Sequence, residues 1–405
     1  MEERTRALAV TSSVLLLSVL VWFNYSALLP RIVDVWSLSG VQAGALFAAF
    51  QAGYVLAALP AGILADGYPT RRVIAVGASG TGVASLAFAA LATGFYSGVS
   101  LRFLAGAFMA AVYVPGMRFL SEWYPESVRG RALGVYVGAF SLSSGLSFLL
   151  SSSVAAAVDW RVGIGATSVG AVVAGPLMLA FAREHPDAAM SERRFDRSLL
   201  SNRAYRHAVG VYAGHNWELF GVRNWLPAFL VVTPAVGRTS NPAVVAGTLT
   251  GAMMSLGGVG NLLGGWASDS VGRVPTVLIV LGGSGVVSAV LGALGSLLTL
   301  PVLTALLLVY GMLLTADSSP TSTTITEVVD DEHVGAALSV QTLAGFSATV
   351  VSPVVFGAAL DAAGFAWAFP TLAVGAALGL VSLGLLSRRL RRATPGSGES
   401  AVSGE

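Results

Sequence analysis

One apolar stretch of the chain, residues 207–231, is interrupted by ionisable side chains. His215 and Glu218 are three residues apart, so a helix places them on one face, and Glu218 lies about 17 Å along the stretch at ~1.5 Å per residue. A carboxyl group without a partner in apolar surroundings is suited to carry a proton. Arg223 and Asn224 follow further along, and a guanidinium can bind a carboxylate through two parallel hydrogen bonds. These residue types indicate proton transfer and anion binding.

Each of these side chains also has a structural interpretation. His215 and Glu218 either line a cavity and couple proton uptake to substrate movement, or form a buried pair that fixes their helix in a bundle. Arg223, with Asn224, either binds a substrate carboxylate or anchors the helix at a membrane interface beside Trp225. The residue types leave both interpretations open.

Two further ionisable residues lie inside apolar runs. Arg102 is expected either to form a structural hydrogen bond, for example to Asn24, or to take part in proton relay or anion binding. Asp317 is expected to pair with an arginine of a loop. Asn24 is also a candidate polar group of a cavity.

The elements that position these residues are predicted from composition. The 405 residues are 55% hydrophobic and only 11% charged, against about 25% in soluble proteins, and the mean hydropathy is +0.75. Long uncharged runs exceed the ~18 residues that mark a membrane-spanning candidate. The sequence therefore predicts an all-α membrane protein of twelve transmembrane helices. Their predicted bounds are 8–29, 41–63, 72–93, 99–119, 131–153, 163–182, 207–231, 244–266, 274–296, 300–321, 334–358 and 365–387.

The loops predict the domains and the orientation. The one long interior polar stretch divides the chain into a six-helix bundle (1–182), a cytoplasmic linker (183–204) and a second six-helix bundle (205–392), followed by a tail (393–405) expected to be disordered. All 23 basic residues are arginine, and 18 of them fall on the side that holds the termini. The positive-inside rule places both termini in the cytoplasm. The membrane is expected to be the inner or plasma membrane.

A loop pattern occurs once in each predicted bundle. Gly62 and Asp66 precede Arg71 and Arg72 between spans two and three, and the second copy keeps Gly265, Asp269, Gly272 and Arg273 between spans eight and nine. Internal repetition of this kind is typical of secondary transporters, whose substrate site lies between the repeats. The two bundles are therefore expected to be pseudo-symmetric.

These loops resemble the most specific motif of the major facilitator superfamily, although Gly67 and Pro69 depart from it, and the resemblance covers nearly the whole chain. Arg102 with Gly106 in span four is similar to another motif of that family. The resemblance implies that Asp66 contacts the start of span eleven near Val334, with Arg71 and Arg72 bridging nearby. It implies that Asp269 does the same against span five near Gly130. Both contacts form only when the cytoplasmic side is closed; the alternative is a loop cap independent of conformation.

These expectations predict a secondary transporter of a small organic solute, more specifically an organic anion, coupled to protons by symport and working by alternating access. The alternatives are export by proton antiport and a non-transporting receptor of the same fold. The chain has no lysine for a phosphate-binding loop and its four histidines lack metal-ligand spacing, so we expect no enzyme activity, cofactor or metal. The expected partners are the substrate, protons and the bilayer, with no nucleic acid and a monomeric state.

Overall fold

The computed structural model describes residues 2–186, 199, 201–330 and 333–393. Within these ranges the regular structure is helical. The α-helices are α1 (Glu2–Ala27), α2 (Leu29–Trp36), α3 (Gly40–Gly67), α4 (Thr70–Leu91), α5 (Phe95–Trp123), α6 (Glu126–Ala157), α7 (Trp160–Phe181), α8 (Arg203–Val232), α9 (Pro234–Gly237), α10 (Pro242–Val271), α11 (Arg273–Leu294), α12 (Leu300–Ala316), α13 (Ser318–Val328), α14 (Val334–Ala363) and α15 (Phe365–Ala393).

These helices make twelve crossings, as predicted. Eleven crossings in the described ranges are long and apolar enough to span a membrane by length and composition alone. The other is α8, whose 30 residues extend about 45 Å at ~1.5 Å per residue. Its composition is more polar because it carries the ionisable side chains discussed above, and these are buried inside the bundle. Burial against other helices is how such side chains are tolerated in lipid.

Two spans differ from the predicted continuous helices. The first crossing continues from α1 into the short α2, and the tenth is broken at Asp317, between α12 and α13. The tenth also reaches Val328 rather than ending near residue 321. Most of the predicted linker and all of the predicted tail beyond residue 393 lie outside the described residues.

The two halves repeat one packing scheme. In the first half α3 packs on α5, α4 on α7, and α1 on α6 and α7. The second half has the matching pairs α10 with α12, α11 with α15, and α8 with α14 and α15. The halves meet through α3 against α14 and α6 against α10, which are again matching pairs. The bundles are therefore pseudo-symmetric, as expected from the repeated loops.

Within the described residues, the backbones of the two halves approach most closely toward one face. We call the face where α1 begins and α15 ends the terminal face, and the other the opposite face. Toward the opposite face, a methyl group added to Gly44 of α3 would collide with the carbonyl of Pro353 in α14. One added to Gly247 of α10 would collide with Ser152 of α6. Glycine allows these backbones to approach closely.

Toward the terminal face, the described helices leave open space between the halves at several glycine positions. The Cβ positions of Gly130, Gly134 and Gly138 on α6 have no atom of the described residues within 4 Å, and the same is true of Gly62 on α3. Gly134 and Gly138 lie on the same side of α6 as Gly145, which does contact α10. In the described helices, α6 and α10 are therefore in contact toward the opposite face and apart at the glycine positions toward the terminal face.

Candidate functional site

Arg223 lies between the two halves, in contact with side chains of both. It is 6% exposed, and its guanidinium carbon is 5.2 Å from the ring centre of Phe23, 5.9 Å from that of Phe140 and 5.0 Å from that of Phe220. Its Nε donates a hydrogen bond of 3.3 Å to the sulfur of Met254. No carboxylate of the described residues forms an ion pair with it. The surroundings are those of a buried cation, not of an anchor at the membrane interface.

Asn224 also joins the halves. Its Oδ1 accepts a hydrogen bond of 3.3 Å from Ser26 of α1, and its Nδ2 is buried without a partner among the described residues. Helix α8 therefore brings a guanidinium, and an amide donor without a partner among the described residues, to the interface of the halves.

Aromatic rings surround this centre. We call Trp22, Phe50, Tyr54, Phe140, Phe220 and Phe346 the aromatic cluster; the ring centre of Trp22 lies within 6.4 Å of each of the other five. The first four belong to the first half and the last two to the second. The cluster therefore fills the interface next to Arg223, since Phe140 and Phe220 contact both.

Glu218 is bound by hydroxyl groups of its own half. Its Oε2 accepts from Ser284 Oγ at 2.9 Å and its Oε1 from Ser288 Oγ at 2.6 Å, both on α11. Ser288 Oγ also bonds to the hydroxyl of Tyr310 on α12. Glu218 is 1% exposed, and no cation of the described residues forms an ion pair with it. A carboxyl group held only by hydroxyls can be accommodated with or without its proton.

His215 pairs with Asp317 rather than with Glu218. The distance from His215 Nδ1 to Asp317 Oδ1 is 2.8 Å, and His215 Nε2 lies 3.1 Å from Ser318 Oγ. The break between α12 and α13 places Asp317 opposite α8. The expectation that Asp317 pairs with a loop arginine was therefore wrong, because the side chain points into the bundle and is 1% exposed. The buried His–Glu pair considered above is not formed either.

Arg102 and Asn24 belong to the interior of the first half. The Arg102 guanidinium donates to the carbonyls of Val21 and Trp22, both at 3.3 Å, and to Asn24 Oδ1 at 3.5 Å. The guanidinium carbon lies 4.6 Å from the ring centre of Phe50. Asn24 Nδ2 in turn donates to Ser85 and Thr167, on α4 and α7. This geometry supports the structural interpretation, in which Arg102 ties α5 to α1.

The first repeated loop is tied within its own half in this conformation. Asp66 forms an ion pair with Arg118 of α5, and Arg118 also bonds Glu122 at 3.3 Å. The Arg71 side chain donates to the carbonyl of Ala182, and its backbone N–H donates to Glu184. Arg72 is exposed.

The second loop behaves in the same way. Asp269 pairs with Arg273, which also bonds Glu327 at 3.1 Å. A methyl group on Gly265 would lie 3.2 Å from Ser319 Oγ of the same half. Among the described residues, neither loop carboxylate forms an ion pair with the other half, so the contacts implied by the family resemblance stay a prediction for a conformation closed at the terminal face.

Several groups of the site were missed from sequence. Ser284, Ser288 and Tyr310 lie in apolar spans, where hydroxyl residues most often bond their own helix backbone and give no signal. The aromatic cluster draws on five helices, so its rings come together only in the folded protein. The break at Asp317 had a weak signal in the polar run Ser318–Thr326.

Comparisons with known proteins add to this geometry. The model of the Major Facilitator Superfamily matches residues 11–237 and 219–403. The hexuronate transporter of Bacillus subtilis is 25% identical over 60% of this chain and 59% of its own length. The probable sulfoacetate transporter SauU of Cupriavidus necator is 24% identical over 90% of this chain and 88% of its own.

A solved structure shares the fold. A bacterial homologue of the human lysosomal transporter Spinster, in an inward-facing and occupied conformation, superposes with a TM-score of 0.81 at 14% identity and covers 98% of this chain and 100% of its own. Both the sequence match and the fold extend across the two halves. The chain therefore belongs to the Major Facilitator Superfamily of membrane transporters and is not an enzyme.

Proposed function

We propose that this protein is a proton-coupled symporter of a small organic anion, with Arg223 as the residue that binds the anion. The observation that carries the proposal is a guanidinium buried at the interface of the halves with no carboxylate of the described residues to neutralise it. An uncompensated buried cation is costly, and a bound anion removes that cost. The relatives named above transport hexuronate and, by their name, sulfoacetate, which are both organic anions.

Arg223→Lys tests the anion site, because it keeps the charge but removes the planar fork. We expect the KM for transported carboxylates to rise about 10-fold or more, since losing good geometry in a desolvated charge pair costs ~1.4 kcal/mol or more. The measurement is uptake of radiolabelled organic acids by proteoliposomes with an imposed pH gradient.

Arg161→Lys is the matched control. Arg161 also lies over an aromatic ring, that of Trp160, but it bonds carbonyls of its own half near the opposite face. The same substitution there is expected to leave KM unchanged. Equal KM values in the Arg223 variant and the native protein would refute the assignment, and no gradient-dependent uptake of any organic acid would favour a non-transporting receptor.

Glu218 is proposed as the proton carrier, with His215 and Asp317 as neighbours on the same route. Glu218 is held by two serine hydroxyls and is not committed to an ion pair in the described part of the chain. Its Ser288 partner extends the hydrogen-bonded chain to Tyr310. A group of this kind can exchange a proton without breaking a salt bridge.

Glu218→Gln tests proton coupling. The variant is expected to lose concentrative uptake driven by a pH gradient while it keeps counterflow exchange of substrate, because the amide cannot carry the proton. Glu3→Gln is the control, since Glu3 lies on the surface beside Arg6. Wild-type accumulation in Glu218→Gln would overturn the assignment, and accumulation driven by a gradient of opposite sign would indicate antiport.

We propose that, during alternating access, the terminal face closes when the contacts between α3 and α14 and between α6 and α10 extend toward it. Gly44 faces Pro353 and Gly40 faces Gly357, so α3 and α14 run antiparallel with a fixed register. Continuing that register along α3 brings Asp66 to the N-terminal end of α14, where the helix dipole favours a carboxylate.

The second pair extends in the same way. Gly251 faces Gly145 and Gly258 faces Ser141, and continuing this register brings Asp269 level with Gly130 of α6. Asp269 is also 18 residues, or five turns of about 3.6, beyond Gly251 and therefore on the same side of α10. Both loop carboxylates are thus proposed to leave their present arginine partners and to hold the terminal face closed. With the arginine distribution above, that face is proposed to be cytoplasmic, in the plasma membrane.

A further inference from the structure

The aromatic cluster and the neighbouring Gln51 contain buried polar groups without a partner in the described part of the chain. Trp22 Nε1, Tyr54 Oη and both amide atoms of Gln51 have no hydrogen-bond partner among the described residues. These residues are 0%, 2% and 0% exposed. Buried polar groups in folded proteins are nearly always bonded, so these unbonded groups on α1 and α3 indicate a partner outside the described residues.

The three residues share one location. Trp22 lies on α1, and Gln51 and Tyr54 lie one turn apart on the same side of α3. The ring centres of Trp22 and Tyr54 are 5.0 Å apart. The orphan groups therefore belong to the first half and sit at its surface toward the second.

Two rings of the second half, which carry no polar atoms, face Trp22 and Tyr54. Phe346 lies 5.0 Å from Tyr54 and 5.9 Å from Trp22, and Phe220 lies 5.5 Å from Phe346, between ring centres. The cluster is closed on itself in this conformation. Because the rings come from different halves, a movement of one half against the other would separate Trp22 and Tyr54 from Phe220 and Phe346 and would open a flat slot between the rings.

Arg223 lies one ring away from this slot. Phe140 lies 5.5 Å from Trp22 and 5.9 Å from the Arg223 guanidinium, and Phe220 lies 6.4 Å from Trp22 and 5.0 Å from the guanidinium. A ligand that binds Arg223 through a carboxylate must therefore place its remaining atoms among aromatic faces. Planar rings pack favourably there, in offset or tilted arrangements.

We propose, on the basis of the anion site proposed above, that the substrate is an aromatic carboxylate with one polar substituent on the side of the ring away from the carboxylate. Arg223 binds the carboxylate, the ring lies in the slot between Trp22 and Phe346, and Tyr54 and Gln51 bond the substituent. A sugar acid such as a hexuronate carries several hydroxyl groups, and most of them would be buried against rings without a partner. The slot therefore selects against the substrate of the hexuronate transporter.

Calorimetric titration of the purified full-length protein tests this assignment with five probes: 4-hydroxybenzoate, benzoate, cyclohexanecarboxylate, glucuronate and 4-hydroxybenzyl alcohol. We expect 4-hydroxybenzoate to bind about 10-fold or more tightly than cyclohexanecarboxylate or glucuronate. Tyr54→Phe is expected to weaken 4-hydroxybenzoate about 10-fold and to leave benzoate unchanged, because only the former uses the hydroxyl.

Tyr205→Phe is the matched control. Tyr205 is equally buried, but its hydroxyl already donates to the carbonyl of Ala337 at 2.8 Å near the terminal face. Removal of this hydroxyl is expected to leave the affinities for benzoate and 4-hydroxybenzoate unchanged. Gln51→Leu is a second variant, with a small change of side-chain volume. It is also expected to weaken the binding of 4-hydroxybenzoate and to leave that of benzoate unchanged.

The outcomes separate this proposal from the one it rests on. Glucuronate or cyclohexanecarboxylate binding as tightly as 4-hydroxybenzoate would overturn the aromatic substrate and leave the anion site standing. The alcohol binding as tightly as the acid would overturn the role of Arg223. If no carboxylate probe binds, both the aromatic substrate and the anion site are overturned. If Tyr54→Phe weakens the binding of benzoate and 4-hydroxybenzoate equally, the Tyr54 hydroxyl does not bond the substituent.

Discussion

Asp361, at the end of α14, bonds the other half at the opposite face. Its carboxylate accepts hydrogen bonds from the backbone N–H groups of Gly40 at 2.6 Å and Val41 at 3.0 Å. These are the first residues of α3, so the charge also lies at the positive end of that helix. The bonds must break when the opposite face opens. Asp361→Asn should therefore shift the protein toward the conformation open at that face.

The size of the shift follows from the geometry. Asparagine keeps one acceptor and the size of the side chain but loses the charge. Asp361 is exposed, so we take about 1 kcal/mol for the lost charge at a helix terminus and the weaker hydrogen bond. That free energy changes the ratio of the two conformations roughly fivefold at 25 °C.

The absence of cysteine makes the assay direct. Tyr96 and Leu297 are 85% and 76% exposed on the opposite face, one in each half, and cysteines there can carry a pair of spin labels. Pulsed electron resonance then gives the populations of short and long distances between the labels. We expect the ratio of long to short to rise about fivefold in Asp361→Asn.

Asp159→Asn is the control for this experiment. Asp159 follows the end of α6 as Asp361 ends α14, but its carboxylate accepts from the N–H of Arg161 in its own half, at 2.9 Å. Its loss is expected to leave the distances unchanged. An unaltered distribution in Asp361→Asn, or an equal change in both variants, would show that the bond to α3 does not hold the face closed.

Three further predictions concern the same conformational change and the first half. Asp269→Asn should increase maleimide labelling of a single cysteine at Gly134, because the proposed contact that closes the terminal face is lost; unchanged labelling would contradict that contact. Gly44→Ala should raise the long-distance population in the spin-label assay, because its methyl group meets the facing carbonyl of α14, whereas Gly384→Ala, with open space, should not. Arg102→Met should destabilise the protein by about 1–3 kcal/mol in thermal unfolding with little change in KM, since its bonds go to carbonyls of α1, and a selective rise in KM would instead assign it to the binding site.

The architecture could be predicted because lipid imposes it on the sequence. Each crossing needs about twenty apolar residues, and the runs are visible without any knowledge of tertiary contacts. The repeated glycine and aspartate loops then gave the two halves. The break at Asp317 could not be predicted in this way, because an interrupted helix inside the bundle is stabilised by side chains from other helices, here His215 of α8.

For the candidate site, the sequence indicated which residues to consider but not which groups they contact. Ionisable residues are easily recognised within apolar spans, so Arg223, Glu218 and His215 could be named from the sequence. The groups that contact them lie on other helices and could not be predicted. His215 and Glu218 share a face of α8 but contact different helices. Asp317 and Ser288 lie against that face at different positions along the axis of α8. Neutral groups such as Trp22 and Tyr54 carry no comparable signal in an apolar chain.

The polar character of α8 has a consequence for biosynthesis. Glu218 and His215 find their partners on α11 and at the start of α13, segments that are translated 66 to 103 residues later. A helix whose centre holds unpaired ionisable groups partitions poorly into lipid by itself. The seventh crossing can therefore reach its final free energy only after the ninth and tenth have emerged from the ribosome, so we expect the second half to assemble as a unit.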